Sequence, residues 1–282
     1  MRYETTAALR QALEMRLQNE ARQAGVDLER LRRRAGFERL LVRAELNDPG
    51  VWVVKGAMAL ELRLGDRARM TRDLDLAVRA EPGQVARRLE DALEADPAGD
   101  GFVFRVGEPV ELVPDQLGEK GSRFHVEAVL GGRTFVAVRV DVVARADGLD
   151  ATDRLPLPGL LSFAGVDSAD VDVLQVAYHF AEKLHALVQE RPGGRSNTRV
   201  RDLVDIALFL EGGLEPDGRL VKAVRETFAA RAAAIPLEIP DPPESWHERY
   251  PPLIEGLDIG ARTSEAALVL LRDFWARARI EG

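Results

Sequence analysis

The chain has 282 residues, of which 46% are hydrophobic and 30% are charged, a balance typical of a folded soluble protein. It contains no cysteine, which excludes disulfide bonds and thiolate metal sites. The formal net charge of −8 argues against a protein that coats nucleic acid non-specifically, because such binding needs many cationic side chains. No apolar run approaches the length of a membrane span or resembles a signal peptide, so we expect a cytoplasmic protein without membrane contact.

Two amphipathic helices are predicted at residues 5–23 and 26–47, where apolar side chains recur at helical spacing. The second helix carries Arg30, Arg33 and Arg34 outside its apolar stripe. Such a run is either a solvated helix face or a surface that contacts nucleic acid phosphates.

A strand is predicted at residues 51–54, and a helix is predicted to begin at Gly56 and to end at about Leu64. A backbone turn that opens a helix presents N–H groups and the positive end of the helix dipole, which suits a triphosphate. We therefore predict nucleotide contacts at Lys55, Gly56 and Ala57.

The sequence D-L-D-L at residues 73–76 predicts a strand with Asp73 and Asp75 on one face and two leucines on the other. Two carboxylates one strand repeat apart can share a pair of divalent ions, and magnesium prefers carboxylate oxygens together with water and substrate phosphates. The structural alternative is an amphipathic edge strand with solvated aspartates.

A β-hairpin is predicted from strands at residues 124–130 and 133–143, joined by Gly131-Gly132. Alternation in the second strand places Arg139 and Asp141 on the face opposite to its valines. Asp141 is therefore a candidate third metal ligand, or else it forms a salt bridge with Arg139 or another arginine. A helix from 81 to 95 and one or two short strands within 102–113 precede the hairpin.

The second half of the chain is predicted to be mostly helical, with helices at 173–190, 200–211, 217–234 and 264–280 and an extended Pro-rich segment at 235–252. Residues 147–168 are rich in Gly, Pro and Asp and are predicted to be the inter-domain crossing. The predicted class is α+β: an α/β domain at 1–155 with a mixed sheet flanked by helices, then a helical domain at 156–282.

Lys183 lies on the flank of an apolar helix stripe. In nucleotidyl transfer, a lysine could neutralise the charge that develops on the leaving pyrophosphate. On the next helix, Asp202 lies near the edge of the stripe and Asp205 is predicted further toward solvent. The structural alternatives are a surface lysine and aspartates that pair with Arg199 and Arg201.

Four blocks in this order, K-G-A-M-A-L, R-M-T-R-D-L-D-L, A-E-K-L-H-A-L and R-V-R-D-L-V-D, resemble the AbiEii/AbiGii toxin family of nucleotidyltransferases, which includes the MenT-type toxins. The fold of that family is similar to the DNA polymerase β superfamily. The resemblance implies that Asp73 and Asp75 bind metal, that Lys183 contacts nucleotide phosphates and that Asp202 completes the active site. Asp202 and Asp141 remain alternatives for the third acidic residue.

The chain departs from the superfamily pattern at Ala57, because many relatives have a second Gly or a Ser after the first Gly. Ala57 lacks the hydroxyl that could bind phosphate. Lys55 or Thr71 could compensate, and Thr71 and Arg72 complete the predicted nucleotide contacts.

The resemblance implies a magnesium-dependent nucleotidyltransferase, with two metal ions, that serves as the toxin of a toxin-antitoxin system. It would transfer nucleotides from an NTP to an RNA acceptor, such as the tRNA 3′ end, and release pyrophosphate. A cognate antitoxin is the implied partner. The predicted RNA contacts are Arg30, Arg33, Arg34, Arg195 and Arg199. Alternatives are a protein hydroxyl or small-molecule acceptor, and a non-catalytic binding module with the same fold.

Overall fold

A computed structural model of the chain describes residues 2–69, 71–112, 121–145, 149, 151–189 and 197–278. The chain divides into two compact units. The first consists of Met1–Leu62 and Met70–Val173, and the second of Arg63–Arg69 and Leu174–Gly282. The division therefore comes later in the chain than the expected boundary between residues 155 and 156.

The first unit is built around a mixed sheet. Its strands are β1 (Trp52–Lys55), β2 (Asp73–Val78), β3 (Val103–Val106), β4 (Val110–Leu112), β5 (Gly121–Leu130), β6 (Arg133–Ala144), β7 (Thr152–Pro156) and β8 (Asp170–Leu174). The strand order is β3-β5-β6-β2-β1-β8-β7, and β4 pairs with β5. β2 is antiparallel to β1 and parallel to β6. The predicted α+β class with a mixed sheet flanked by helices is confirmed.

Four helices begin in the first unit. They are α1 (Thr6–Ala24), α2 (Leu28–Asn47), α3 (Gly56–Leu64) and α4 (Val85–Glu94). Thr5 and Asp27 cap α1 and α2 by accepting hydrogen bonds from backbone N–H groups. α2 and α4 pack on the valine face of β6, and Gly36 of α2 lets this helix approach Val136 closely. The opposite face of β6 carries Arg139 and Asp141.

The predicted hairpin is confirmed as β5 and β6. Gly131 and Gly132 adopt φ values of 60° and 74°, which glycine reaches without a steric penalty. Val140 and Val142 are fully buried, whereas Arg139 and Asp141 are only partly buried. The alternation predicted from the sequence therefore assigns both faces of this strand correctly.

The prediction of an irregular crossing at 147–168 followed directly by a helix is wrong. β7 lies in this stretch, and β8 pairs in parallel with β1, so the chain remains in the sheet of the first unit until Val173. The following helix begins only at Val176. The physical reason is that β8 has only five residues, so the alternation of Asp170 and Asp172 with two valines is too short to separate it from the apolar helix that follows.

The second unit is mostly helical. Its helices are α5 (Val176–Val188), α6 (Val200–Glu211), α7 (Gly218–Ala230), α8 (Trp246–Arg249), α9 (Pro251–Ile254) and α10 (Ser264–Ala278). α5 packs against α6 and α7, and the rings of Phe180 and Phe274 lie 5.4 Å apart in the core. The Pro-rich segment is not wholly extended, because it contains α8 and the start of α9. None of the helices in the described ranges is long and apolar enough to cross a bilayer.

A buried ion cluster fixes α2 to the loop before β3. Arg39 Nε donates to Asp100 Oδ2 at 2.9 Å, and Arg43 Nη2 donates to Asp100 Oδ1 at 2.8 Å. The backbone N–H of Phe102 donates to the same carboxylate. All three charged side chains are about 1% exposed, so each depends on the others for the interactions that water would otherwise supply.

We predict that Asp100→Asn lowers the free energy of unfolding by about 3 kcal/mol, because the buried Arg39 and Arg43 lose their shared counter-charge and keep only Glu38 at 3.8 Å and the partly exposed Asp96 at 3.0 Å. Urea denaturation measures this loss. Asp91→Asn is the matched control, since Asp91 pairs with Arg87 on the exposed face of α4, and we expect a change below about 0.5 kcal/mol there. Equal losses in the two variants would contradict the assignment.

Candidate active site

The two aspartates of β2 lie on the same face of the sheet, as predicted. Asp73 and Asp75 are partly buried, whereas Leu74 and Leu76 are 0% and 1% exposed and point into the core. The strand therefore uses its leucines for packing and presents its carboxylates together.

Neighbouring strands place further charged side chains on the same face. In the antiparallel pair of β1 and β2, Lys55 lies opposite Asp75. In the parallel pair of β2 and β6, Arg139 lies opposite Asp73 and Asp141 lies opposite Asp75. Residues that are directly opposite on adjacent strands project to the same side, so these five residues share one surface.

Gly56 forms the turn between β1 and α3 in direct contact with Asp75. Its φ of 57° lies in the left-handed region, and a Cβ added there would lie 1.8 Å from Asp75 Oδ2. Both the backbone conformation and the close approach therefore require glycine. The turn predicted to contact phosphate and the predicted metal ligand are thus packed against each other.

Asp141 is held by Arg123 of β5. Arg123 Nε and Nη2 donate to the two carboxylate oxygens of Asp141 at 2.7 Å and 2.6 Å. These hydrogen bonds, with the negative charge of Asp141, raise the pKa of the Arg123 guanidinium. The salt-bridge alternative considered for Asp141 is therefore realised, with Arg123 rather than Arg139 as the partner.

Asp73 has a different environment. Arg139 Nε lies 2.5 Å from Asp73 Oδ1, yet this solvent-shielded oxygen accepts no hydrogen bond of good geometry. Asp73 Oδ1 is therefore neutralised by the charge of Arg139 without accepting a hydrogen bond from it.

The carboxylates of β2 fit magnesium as donors. Magnesium in phosphoryl-transfer sites is held through one or two carboxylates and otherwise by water and substrate phosphates. Asp73 and Asp75 supply two carboxylates, and an ion on Asp73 Oδ1 would replace the charge of Arg139 rather than a hydrogen bond. Over the described parts of the chain, no three acidic or histidine side chains converge into a ready-made metal cage. The donor set therefore suits an ion that shares its coordination with water and nucleotide.

Other predicted nucleotide contacts have structural roles as well. Thr71 Oγ donates to the backbone carbonyl of Asp73 at 2.6 Å and accepts from its N–H at 3.2 Å, so it shapes the start of β2. The side chain of Ala57 is buried, which leaves only its backbone N–H for a ligand. Arg72 is exposed to solvent. Their contacts with nucleotide stay predictions.

Lys183 belongs to a buried ion cluster in the second unit. Its Nζ lies 2.6 Å from Asp205 Oδ2 and 3.1 Å from Asp202 Oδ1. Arg69 donates from Nε and Nη2 to the two oxygens of Asp205 at 2.6 Å and 2.8 Å. Lys183 is 8% exposed, so the surface-lysine alternative is wrong.

The charges within this cluster stabilise one another. Burial alone would lower the pKa of Lys183, but the negative charges of Asp205 and Asp202 outweigh it and raise that pKa. Burial alone would raise the pKa of Asp205, but Lys183 and Arg69 outweigh it and lower that pKa. Both residues are therefore charged at neutral pH.

The position predicted for Asp205 is wrong. This residue is 0% exposed, whereas Asp202 is 8% exposed, because α6 is buried over residues 202–209 rather than along one stripe. Asp202 does lie 3.7 Å from Arg199, but Asp205 pairs with Arg69 and Lys183. The i,i+3 spacing of the two aspartates on a helix was the signal that they share a side.

The predicted RNA-contacting arginines lie in different surroundings. Arg33 lies 4.0 Å from Asp27, and Arg34 lies 3.4 Å from Glu61. Arg30 is partly buried, and the Arg199 side chain is 52% exposed. Arg195 lies outside the described residues. RNA contact at these positions stays a prediction.

The sequence matches the family described as nucleotidyl transferase AbiEii toxin, type IV toxin-antitoxin system, over residues 39–277. This match covers most of the chain. The chain belongs to the AbiEii family. No curated protein sequence matches it.

The fold of this AbiEii-family chain is similar to that of a solved nucleotidyltransferase toxin. MenT4, a nucleotidyltransferase toxin from Mycobacterium tuberculosis, is similar with a TM-score of 0.52 and 19% identity, covering 92% of this chain and 96% of MenT4. JHP933 from Helicobacter pylori gives a TM-score of 0.45 and 15% identity, covering 87% of this chain and 92% of that one. At these identities, the similarity to MenT4 shows the fold alone.

We predict that Gly56→Ala destabilises the AbiEii-family protein more than Gly50→Ala does. Both residues have positive φ, so each alanine costs about 1–2 kcal/mol in backbone strain. A Cβ at Gly50 meets nothing within 4 Å, whereas a Cβ at Gly56 collides with Asp75. Urea denaturation of both variants separates the collision from the strain, and equal losses would contradict the tight contact.

We predict that Asp205→Asn lowers the free energy of unfolding by about 3–5 kcal/mol at neutral pH, because Lys183 and Arg69 lose a buried counter-charge. Asp202→Asn is the matched control, and its loss should be smaller because Lys183 keeps Asp205.

The contribution of this cluster should also depend on pH. The lowered pKa of Asp205 means that its contribution is complete above about 3.9, its value in the unfolded chain, and is lost as pH falls through the folded-state value. The difference between wild type and Asp205→Asn should therefore shrink in acid. A difference that stays constant down to pH 2 would argue against the charged pair.

Proposed function

We propose that this AbiEii-family protein transfers a nucleotidyl group from a nucleoside triphosphate to an RNA acceptor, such as the 3′ end of tRNA, with release of pyrophosphate and in dependence on magnesium. The observation that carries the proposal is the packing of the Gly56 turn against Asp75, with Asp73 on the same face. A helix-opening turn that suits a phosphate and two carboxylates that suit a metal thereby lie together, which supports the proposal of nucleotidyl transfer.

The chain's own residues would act mainly by positioning. Asp73 and Asp75 would hold magnesium, which neutralises phosphate charge and lowers the barrier to in-line displacement. The backbone N–H groups in the first turn of α3 lie at the positive end of the helix dipole, which favours triphosphate binding there. Lys55, opposite Asp75, adds a cation that suits a phosphate oxygen.

Two parts of the proposal rest on family resemblance. One is that Lys183 contacts the nucleotide phosphates and Asp202 completes the active site. The other is that the acceptor is RNA, contacted by the arginines of α2 and by Arg199. Membership in a toxin family also implies an antitoxin partner.

The proposal is tested by incubating the purified protein with magnesium, total RNA and each of the four labelled nucleoside triphosphates. We expect label in RNA of tRNA size and loss of labelling when EDTA is added. Label confined to protein or to small molecules would instead support the alternative acceptors. No label in any fraction would contradict transferase activity under these conditions.

Asp75→Asn should lower the labelling rate by at least about a hundredfold, since residues that merely support metal ligands already cost up to that factor when replaced. The matched control is Asp170→Asn, an exposed strand aspartate at the start of β8, which should label RNA at the wild-type rate. Wild-type labelling by Asp75→Asn would exclude Asp75 as a metal ligand.

A further inference from the structure

The face of the sheet that carries Asp73 and Asp75 extends onto β6 and β5 as two rows of charged side chains. One row crosses the strands from Asp75 to Asp141 and Arg123, and the other from Asp73 to Arg139. Asp141 faces Arg123, and Asp73 faces Arg139, each across a pair of neighbouring strands. The two arginines, however, hold their carboxylates differently.

Arg123 forms a two-pronged hydrogen-bonded pair with Asp141, with both oxygens engaged. Such a planar fork is the strong form of an arginine–carboxylate contact. Arg139 instead approaches one oxygen of Asp73 without hydrogen-bond geometry, and its side chain is 41% exposed. The Arg123 pair is therefore held by charge and by two hydrogen bonds, whereas the Arg139 contact is held by charge alone.

The position of Arg139 conflicts with a divalent cation on Asp73. A metal ligand must offer its oxygen lone pairs, and the Arg139 guanidinium lies against Asp73 Oδ1. Two cations at one carboxylate oxygen repel each other, so a metal that binds Asp73 through Oδ1 displaces Arg139. Its exposed side chain then lies beside the metal with an unpaired positive charge.

We propose that Arg139 is the counter-ion of Asp73 in the metal-free protein and becomes a phosphate-binding residue once a divalent cation occupies Asp73. This inference rests on the proposed function, because it assigns the displaced guanidinium to a phosphate of the substrates. A guanidinium binds phosphate oxygens by charge-assisted hydrogen bonds. The phosphate then supplies the negative charge that Asp73 provides to Arg139 in the metal-free protein. The phosphate belongs either to the nucleoside triphosphate or to the RNA acceptor.

The first measurement is the affinity of the protein for Mn²⁺ alone, in Arg139→Gln and wild type. Removing the competing cation should tighten Mn²⁺ binding about two- to fivefold. Arg139→Lys keeps the charge and should remain close to wild type. The matched control is Arg105→Gln, which removes an exposed arginine that pairs with Glu127 on the β3–β5 strand pair and should change nothing.

The second measurement is the affinity for each nucleoside triphosphate with magnesium, and separately for tRNA. Arg139→Gln should weaken binding of one of the two about tenfold, and the ligand affected identifies the source of the phosphate. The opposite directions of the metal and phosphate effects are the signature of the proposal. A general loss of structure would weaken both, and the melting temperature of each variant checks that it is folded.

The proposal is overturned if Arg139→Gln binds Mn²⁺ no more tightly than wild type, or if its affinities for all nucleotides and for tRNA are unchanged. Failure of the proposed function gives a different result, in which the wild-type protein itself binds no nucleotide and labels no RNA.

Discussion

The contact between Gly56 and the carboxylate of Asp75 is the constraint on which the site depends. Antiparallel pairing sets Lys55 opposite Asp75, so the next residue must turn the chain directly over that carboxylate. Only a residue without a Cβ can occupy this position, and α3 can begin there because glycine also accepts the positive φ. Parallel pairing of β2 with β6 then brings Arg139 and Asp141 to the same surface. The geometry of two strand pairs and one turn thus fixes the surroundings of both aspartates.

The carboxylates differ in how completely neighbouring groups satisfy them. Asp100 and Asp205 are buried, and each is paired with two cationic side chains, because removing a charged group from water costs several kcal/mol unless a counter-charge replaces it. Asp141 has both oxygens bound by Arg123. Asp73 retains a shielded oxygen without a hydrogen bond, and Asp75 lies under a helix-opening turn. A buried polar group without a hydrogen bond lowers the stability of a fold, so its presence points to a role other than folding.

Much of the local structure was predictable because it depends on neighbours in sequence. The hairpin of β5 and β6, the start of α3 and the inward leucines of β2 follow from turn residues and alternation. β8 was missed because its alternation of aspartates and valines spans only five residues and leads directly into the apolar pattern of α5. Asp205 was placed toward solvent because a single apolar stripe was assumed, whereas α6 is buried along most of its length. Arg69 was missed as a partner because Asp205 lies 136 residues away in the chain. Arg123 was missed because a register shift between Ala128 and Val129, which the two-glycine turn does not predict, sets it opposite Asp141.

The sequence by itself determined that Asp73 and Asp75 share one face of β2 and that α3 opens at Gly56, because side-chain direction along a strand and the opening of a helix are local properties. It also placed the chain in its family, through four short blocks in a fixed order. Only the tertiary structure decided which charges neutralise which, since strand register and helix packing join residues far apart in the chain. That decision assigned Arg123 to Asp141, Arg69 and Lys183 to Asp205, and Arg139 to Asp73. The physical reason is that an ion pair is set by distance and burial, and neither quantity is encoded in any single segment.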